Sequence, residues 1–439
     1  AAALLVDHQL PLPLPQLVVA DTRQAMGELA AELYGRPSRQ LRVLGVTGTK
    51  GKTTTTFIIK HLLQSGGIST GLIGTTGLYI NDLADNVSFS TTTTPEAPDI
   101  QQMLARMLQL GCRAAVMEVT SHAVALRRTA GTEYDVAVFT NIAADHLDFH
   151  PTFEHYLAAK NGFFALTGQP GTKERKAFVV NRDDPHWSAF AEAAGGRGRL
   201  ITVGIEAAAD LKAGDIDIRS NSTGFTVSGC FGRERVEMPL LGRFNVYNAL
   251  CALAAACLEG VPLAHAAGAL ADLPGVPGRF EKVDLGQDFT VIVDYAHTGP
   301  SMANCLQLAR GLTKGRLIVV FGAGGDRDPA RRREMGEAAG RLADRVIITS
   351  DNPRSEDPLA ICRAIEAGVA ATGMSAAHYE IVPDRREAIN LAIAEARPGD
   401  LVLIAGKGHE NYQEIKGRRI HFDDREEARL ALERRRSSH

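Results

Sequence analysis

The chain has 439 residues, 45% of them hydrophobic and 23% charged, with a formal net charge of −3. That length exceeds one ordinary core and predicts two or three domains of a globular protein. The near-neutral balance excludes the basic footprint of a nucleic-acid binder or an electrostatic membrane binder. No apolar run reaches the roughly 20 residues of a membrane-spanning helix, and the start lacks the basic segment of a signal peptide. The chain opens on Ala1-Ala2-Ala3 rather than Met, which reads as an internal start or a fragment. Cys112, Cys230, Cys251, Cys257, Cys305 and Cys362 form no CxxC pair. They read as free thiols, several of them small hydrophobes in helices, in keeping with a reducing cytosol. Arg434-Arg435-Arg436, close to Glu427 and Glu433, reads as a solvated tail.

In chain order, a Pro-rich opening (Pro11, Pro13, Pro15) precedes a helical pattern from Thr22 to Tyr34. Leu41 to Val46 has a buried-strand pattern, followed by the Gly-rich stretch Thr47-Gly48-Thr49-Lys50-Gly51-Lys52-Thr53 and a helix from Thr53 to Leu63. Strand, loop and helix in that order open a parallel α/β domain. Strands are predicted over 114–119, 136–140 and 177–181, with helices over 97–110 and 152–166. The stretch 216–240 predicts antiparallel strands, and 245–258 a helix. Leu273-Pro274-Gly275-Val276-Pro277-Gly278 marks a boundary. A second α/β rhythm follows, with strands over 290–293, 317–321, 345–349 and 401–404.

The Gly-rich turn directs backbone N–H groups and a helix N-terminus at an anion. Lys52 can neutralise phosphate charge, and the Thr53 hydroxyl suits Mg²⁺. The spacing is not a strict Walker A motif, because Val46 stands where the first glycine would be. Glu118 ends a strand at the carboxyl edge of the sheet, where open α/β folds bind ligands. It is either a Mg²⁺ ligand, as hard cations take oxygen, or a surface acid. Asn141 and Asp145-His146-Leu147-Asp148 follow the next strand, and His146 between two carboxylates favours a functional role. Lys160 lies on an apolar helix face, where pattern alone favours a snorkelling side chain over a chemical role.

These motifs, in this order, resemble the Mur ligases, in particular the branch that adds the third residue of the peptidoglycan stem peptide. The resemblance rests on Gly45 to Thr54, Thr93-Thr94-Pro95, Glu118 to His122, Phe139-Thr140-Asn141 with Asp145 to Asp148, and Ala159-Lys160. It continues through Gly242 to Asn248, Pro277 to Glu281, Asp294 to Thr298, Gly324 to Asp328, Asp351-Asn352-Pro353-Arg354 and Ala405 to Glu410. It implies an α/β architecture in three parts. These are a truncated N-terminal uridine-binding remnant (1–38), a central P-loop-type ATPase domain (39–277) and a C-terminal Rossmann-like amino-acid-binding domain (278–439).

The resemblance also implies roles. Gly48, Thr49, Gly51, Lys52, Thr53 and Thr54 would bind ATP phosphates, with Asn245 and Asn248 near the adenine and Arg279 and Asp294 contributed by the C-terminal domain. Thr53, Glu118, His146 and a carbamylated Lys160 would serve the metal, so that Lys52, Glu118, His146 and Lys160 are the catalytic set. Thr93, Thr94, Thr120 and Arg128 would contact the muramyl peptide. Arg327, Asp351, Asn352, Arg354, Gly406 and Glu410 would surround meso-diaminopimelate, whose second carboxylate an Arg can bind bidentately. Lys50, Thr120, Ala143-Ala144 and Gly299-Pro300 depart from the family's usual residues without removing a catalytic group. The implied protein is a cytoplasmic, monomeric ligase using ATP and Mg²⁺ on small-molecule substrates, with no nucleic-acid partner and no membrane insertion. Its reaction would pass through an acyl phosphate.

Overall fold

The structure is a computed structural model that describes residues 2–81, 83–85, 92–146, 149–219 and 221–437. It divides into two compact units, Ala1–Pro274 and Gly275–His439, and the division falls inside the Pro-Gly stretch 273–278.

Among the described residues, the first unit is built on an 11-stranded sheet. Its centre is parallel, in the spatial order Ala177–Asn181, Val136–Phe139, Arg42–Thr47, Ala114–Glu118, Thr70–Gly74. Parallel strands covered on both faces read as continuous apolar runs, and Val43, Leu44 and Val46 are fully buried. Each such side chain contributes about 1.5–3 kcal/mol relative to exposure. Leu211–Ile218, Thr223–Gly229 and Gly232–Met238 form the antiparallel flank. The sequence pattern finds that flank but starts it five residues late, and it misses the strands Thr70–Gly74 and Arg199–Gly204 altogether. Residues ahead of Arg39 belong to this unit. Their helix Thr22–Leu33 is capped by Asp21, whose carboxylate accepts from Arg23 N and Gln24 N.

Register decides where the chemistry gathers. Val46 pairs with both Glu118 and Val138, and Thr47 with Phe139, so three strands end level. The segments that follow them, from Gly48, Val119 and Thr140, leave one sheet edge together. The helix Phe153–Gly168 lies against this sheet, and the absence of a side chain at Gly45 makes room for the Phe163 ring. Lys160, one turn back from Phe163 on the same helix face, is thereby aimed at the glycine loop.

The second unit has, among the described residues, a 6-stranded sheet. Thr290–Asp294, Leu401–Ala405, Leu317–Phe321, Arg345–Ile348 and Tyr379–Ile381 run parallel, and Glu281–Val283 is antiparallel at one edge. Apolar clusters cover both faces. Asp294 pairs with Ala405, and Phe321 pairs with both Ala405 and Ile348, so these four strands also end level.

Candidate active site

The strand Arg42–Thr47 passes into the helix Lys52–Ser65 through a loop that needs its glycines. Gly51, the helix N-cap, has φ 85, in the left-handed region that disfavours side chains. An added Cβ there would collide with the Asn248 amide. The loop is clamped from the neighbouring strand end. Asn141 Oδ1 accepts from Lys50 N and its Nδ2 donates to Lys50 O, both at 3.0 Å. Thr140 Oγ1 donates to Lys50 O at 2.7 Å. Lys52 folds over the loop, its Nζ donating to Gly48 O (2.9 Å) and Thr49 O (3.0 Å). Thr49 Oγ1 lies 2.9 Å from Tyr156 Oη. Asn248 Nδ2 donates to Asn245 Oδ1 at 3.0 Å, and Thr55 Oγ1 donates to Asn248 Oδ1 at 3.4 Å. The two asparagines therefore buttress the loop from below, and both are buried along with Thr54.

Glu118 is only 1% exposed, which is costly for a carboxylate unless it is well bonded. It accepts from Thr53 Oγ1 (3.0 Å), Thr75 N (2.8 Å) and Thr75 Oγ1 (3.1 Å). A threonine cluster continues from it. Thr75 Oγ1 lies 3.1 Å from Thr93 Oγ1, Thr94 Oγ1 donates to Glu118 O (2.9 Å), and Thr120 N donates to Thr94 Oγ1 (3.1 Å). Arg128 Nη1 donates to Thr94 O at 3.1 Å, while its Nε lies 2.8 Å from a carboxylate oxygen of Glu96. Thr93, Thr94, Thr120 and Arg128 thus form one group adjoining Glu118.

Lys160 does not snorkel, which corrects the pattern reading. It is 1% exposed, and its Nζ donates to Gly48 O at 2.7 Å and lies 4.9 Å from the Tyr156 ring centroid. Snorkelling needs a path to water, and the glycine loop closes that path. Burial pushes the amine well below the usual lysine range; the Lys52 charge adds to this and Asp145 opposes it. His146, at φ 55, lies in a ring cluster, 4.9 Å from His122 and 6.2 Å from Tyr156 between centroids. Leu147 and Asp148 of the same motif lie outside the described residues. Among the described residues no three His, Cys, Asp or Glu side chains group as metal ligands. The fit to Mg²⁺ rests instead on oxygen: the Thr53 hydroxyl and the Glu118 carboxylate stand side by side at the phosphate loop.

In the second unit, Asp294 ends the strand Thr290–Asp294 and accepts from Phe280 N, just ahead of the strand Glu281–Val283, and from Ala296 N, just after its own strand, both at 2.8 Å. Burial raises its pKa, against the Arg279 charge and these N–H groups. Arg279 lies 4.9 Å from the centroid of the Tyr295 ring, and Tyr295 Oη donates to Glu410 Oε1 at 3.3 Å. Asp351 and Asn352 are buried, and Asn352 Nδ2 donates to Glu410 Oε2 at 2.8 Å. Arg354, at φ 51, is held by Glu414 O accepting from its N at 3.0 Å, and its Nη1 donates to Gly325 O. Gly406 directly follows the strand Leu401–Ala405, and Arg327 is exposed.

The sequence reading missed Thr75, Tyr156, Lys407 and Arg385. Arg385 is fully buried and pairs bidentately with Asp424, at 2.7 Å for each bond. It also donates to Ser350 O (3.2 Å) and Ala405 O (2.9 Å), the residues just ahead of Asp351 and Gly406. Tyr156, one turn before Lys160, had a periodicity signal; Thr75 had none.

Residues 46–256 match the Mur ligase middle domain, and residues 278–408 match the Mur ligase, glutamate ligase domain. The chain is 45% identical over 436 residues to the UDP-N-acetylmuramoyl-L-alanyl-D-glutamate–2,6-diaminopimelate ligase of Geobacillus kaustophilus, covering 99% of this chain and 88% of that protein. It is 44% identical to a UDP-N-acetylmuramyl-tripeptide synthetase of a Roseiflexus species, covering 96% and 84%. A solved UDP-N-acetylmuramoyl-L-alanyl-D-glutamate–2,6-diaminopimelate ligase superposes with a TM-score of 0.70 at 34% identity, over 99% of this chain and 87% of that one. With this coverage across both units, the chain belongs to the Mur ligase family.

Proposed function

We propose that the protein is an ATP-dependent ligase that joins meso-2,6-diaminopimelate to UDP-N-acetylmuramoyl-L-alanyl-D-glutamate and releases ADP and phosphate. The observation that carries the choice of amino acid is the locked loop Asp351-Asn352-Pro353-Arg354, with Asn352 bonded to Glu410 at one strand edge. That arrangement offers a carboxylate to an ammonium and a guanidinium to a second carboxylate, and the second carboxylate is the group that diaminopimelate has and lysine lacks. The named function of the relatives supports the same reading.

In the proposed chemistry an oxygen of the acceptor's carboxylate attacks the γ-phosphorus, and the bond to the β–γ bridging oxygen breaks. The amine of the incoming amino acid then attacks the acyl carbon. It loses a proton, and the carbon–oxygen bond to phosphate breaks. Lys52 and the loop N–H groups hold the charge of the transferring phosphoryl group. Mg²⁺, when bound by Thr53 and Glu118, supplies further charge neutralisation there. Thr93, Thr94, Thr120 and Arg128 are proposed to hold the muramyl peptide, and Arg279 and Asp294 to serve ATP. Lys160 is proposed to work as a carbamate. Its neutral amine can add to CO₂ and release a proton, which puts an anion beside the loop in place of an uncharged amine. His146 is proposed as the remaining metal-site residue. The protein is proposed to act as a monomer in the cytoplasm; among the described residues no helix is long and apolar enough to cross a membrane.

The test is phosphate release with UDP-muramyl-dipeptide and ATP, supplied with diaminopimelate or with L-lysine. Strong selectivity for diaminopimelate is expected, and Arg354→Ala should weaken it by about 1.5–3 kcal/mol, the size of a charge-assisted hydrogen bond. Equal rates with the two amino acids would overturn the assignment.

A further inference from the structure

Behind the Asp351–Arg354 loop lies a lysine to which the function above assigns nothing. The Lys407 side chain is 0% exposed. Its Nζ donates to Asn352 Oδ1 at 3.1 Å and Glu410 Oε2 at 3.3 Å, and lies 4.0 Å from Asp351 Oδ1. Asn352 Oδ1 also accepts from Glu414 N at 3.0 Å. Two donors on one side and the Glu410 carboxylate on the other leave the Asn352 amide a single orientation. Glu410 keeps 19% of its side chain exposed, so it can meet a ligand that Lys407 cannot touch.

We propose that Lys407 is a positioning residue of the amino-acid site. Its ammonium offsets one of the two carboxylates, Asp351 and Glu410, and fixes the Asn352 amide. One net negative charge is then presented, through Glu410, to the ammonium of the incoming amino acid. Buried charges need partners to remain ionised and in place. Without Lys407, two like charges would face each other across Asn352, whose amide would lose one of the donors that orient it.

The inference rests on the diaminopimelate reading of this site, and the experiment separates the two. Michaelis constants for diaminopimelate and for ATP, kcat and the unfolding midpoint are measured for the wild type, Lys407→Gln, Lys407→Met and Lys407→Arg. Gln and Met both remove the charge, so the test does not hang on one replacement folding. The expected result is a rise of about tenfold or more in KM for diaminopimelate in whichever charge-removing variant folds. KM for ATP should stay within about twofold of wild type. Lys407→Arg should recover most of the loss. An unchanged KM for diaminopimelate in a folded charge-removing variant would overturn the inference alone, as would equal rises for both substrates that track the unfolding midpoint. A wild type that shows no diaminopimelate-dependent phosphate release would overturn the functional reading and the inference with it.

Discussion

Lys160 and Lys407 are the same residue, equally sealed from water, one in each unit, and their surroundings are opposite. Lys160 has a carbonyl for a partner and feels the like charge of Lys52. Lys407 has two carboxylates and an amide oxygen. Desolvation alone drives a buried amine to its neutral form, and a nearby anion restores the cation. The first lysine therefore stands where burial favours the uncharged amine, in keeping with its proposed carbamate role, and the second stands among oxygens that accept from its ammonium. Burial by itself says neither.

The strongest way to break this comparison is to remove the reactive amine. Lys160→Ala should lower the rate of phosphate release by on the order of 10³-fold, while ATP binding measured by calorimetry persists. Because Lys160 makes no ion pair among the described residues, Lys160→Met should leave the unfolding midpoint unchanged or raise it. Wild-type turnover in Lys160→Ala would refute its role.

Next in size is a charge whose partner is essential to stability. Asp424→Ala leaves the buried Arg385 guanidinium uncompensated and should cost about 3–5 kcal/mol in denaturant unfolding. A loss below about 1 kcal/mol, the size of an ordinary hydrogen bond, would mean that water reaches Arg385 and that the brace behind Ser350 and Ala405 is soft.

A smaller effect is expected at the contact that ties the Lys160 helix to the phosphate loop. Tyr156→Phe deletes the bond to Thr49 Oγ1 and should cost about 0.5–1.5 kcal/mol of stability. It should also lower kcat a few-fold, at unchanged KM for diaminopimelate. A change in that KM would show that the loop and the amino-acid site do not respond independently.

The smallest effect carries the comparison over to an acid. Asp183 pays for partial burial with bonds from Glu206 N, Ile205 N, Ala207 N and Tyr247 Oη, which together hold its carboxyl below the usual value of 3.8. A depressed carboxylate contributes stability that is fully present above its unfolded pKa and is lost as pH falls through the folded one. Asp183→Asn should therefore flatten the fall in unfolding midpoint below about pH 4, and an unaltered acid limb would show that other carboxylates govern it.

How far all this is legible in the sequence differs between residues. The loop from Thr47 to Thr53 can be read directly, since a strand, two special glycines and Lys-Thr at a helix start are local features with a local cause. Asp351 to Arg354 is also visible as a motif. The burial of Lys160 is not, because helical periodicity shows which face it shares and not that the glycine loop covers its end. The strand Thr70–Gly74 escapes because Gly71 and Gly74 dilute an apolar run whose burial comes entirely from its neighbours. Arg385 and Asp424 are 39 residues apart, and nothing in either neighbourhood names the other.

The sequence by itself determined the family resemblance, the α/β rhythm and the phosphate loop, because these depend on residue order over a few turns of chain. Tertiary structure alone decided which side chains lose water and which charges they then meet. Those are properties of strand register and packing: Val46 level with Glu118, Asp294 level with Ala405. Electrostatic energy depends on distances and solvent exclusion between segments remote in sequence, and so the chemical characters of Lys160 and Lys407 emerge only once the chain is folded.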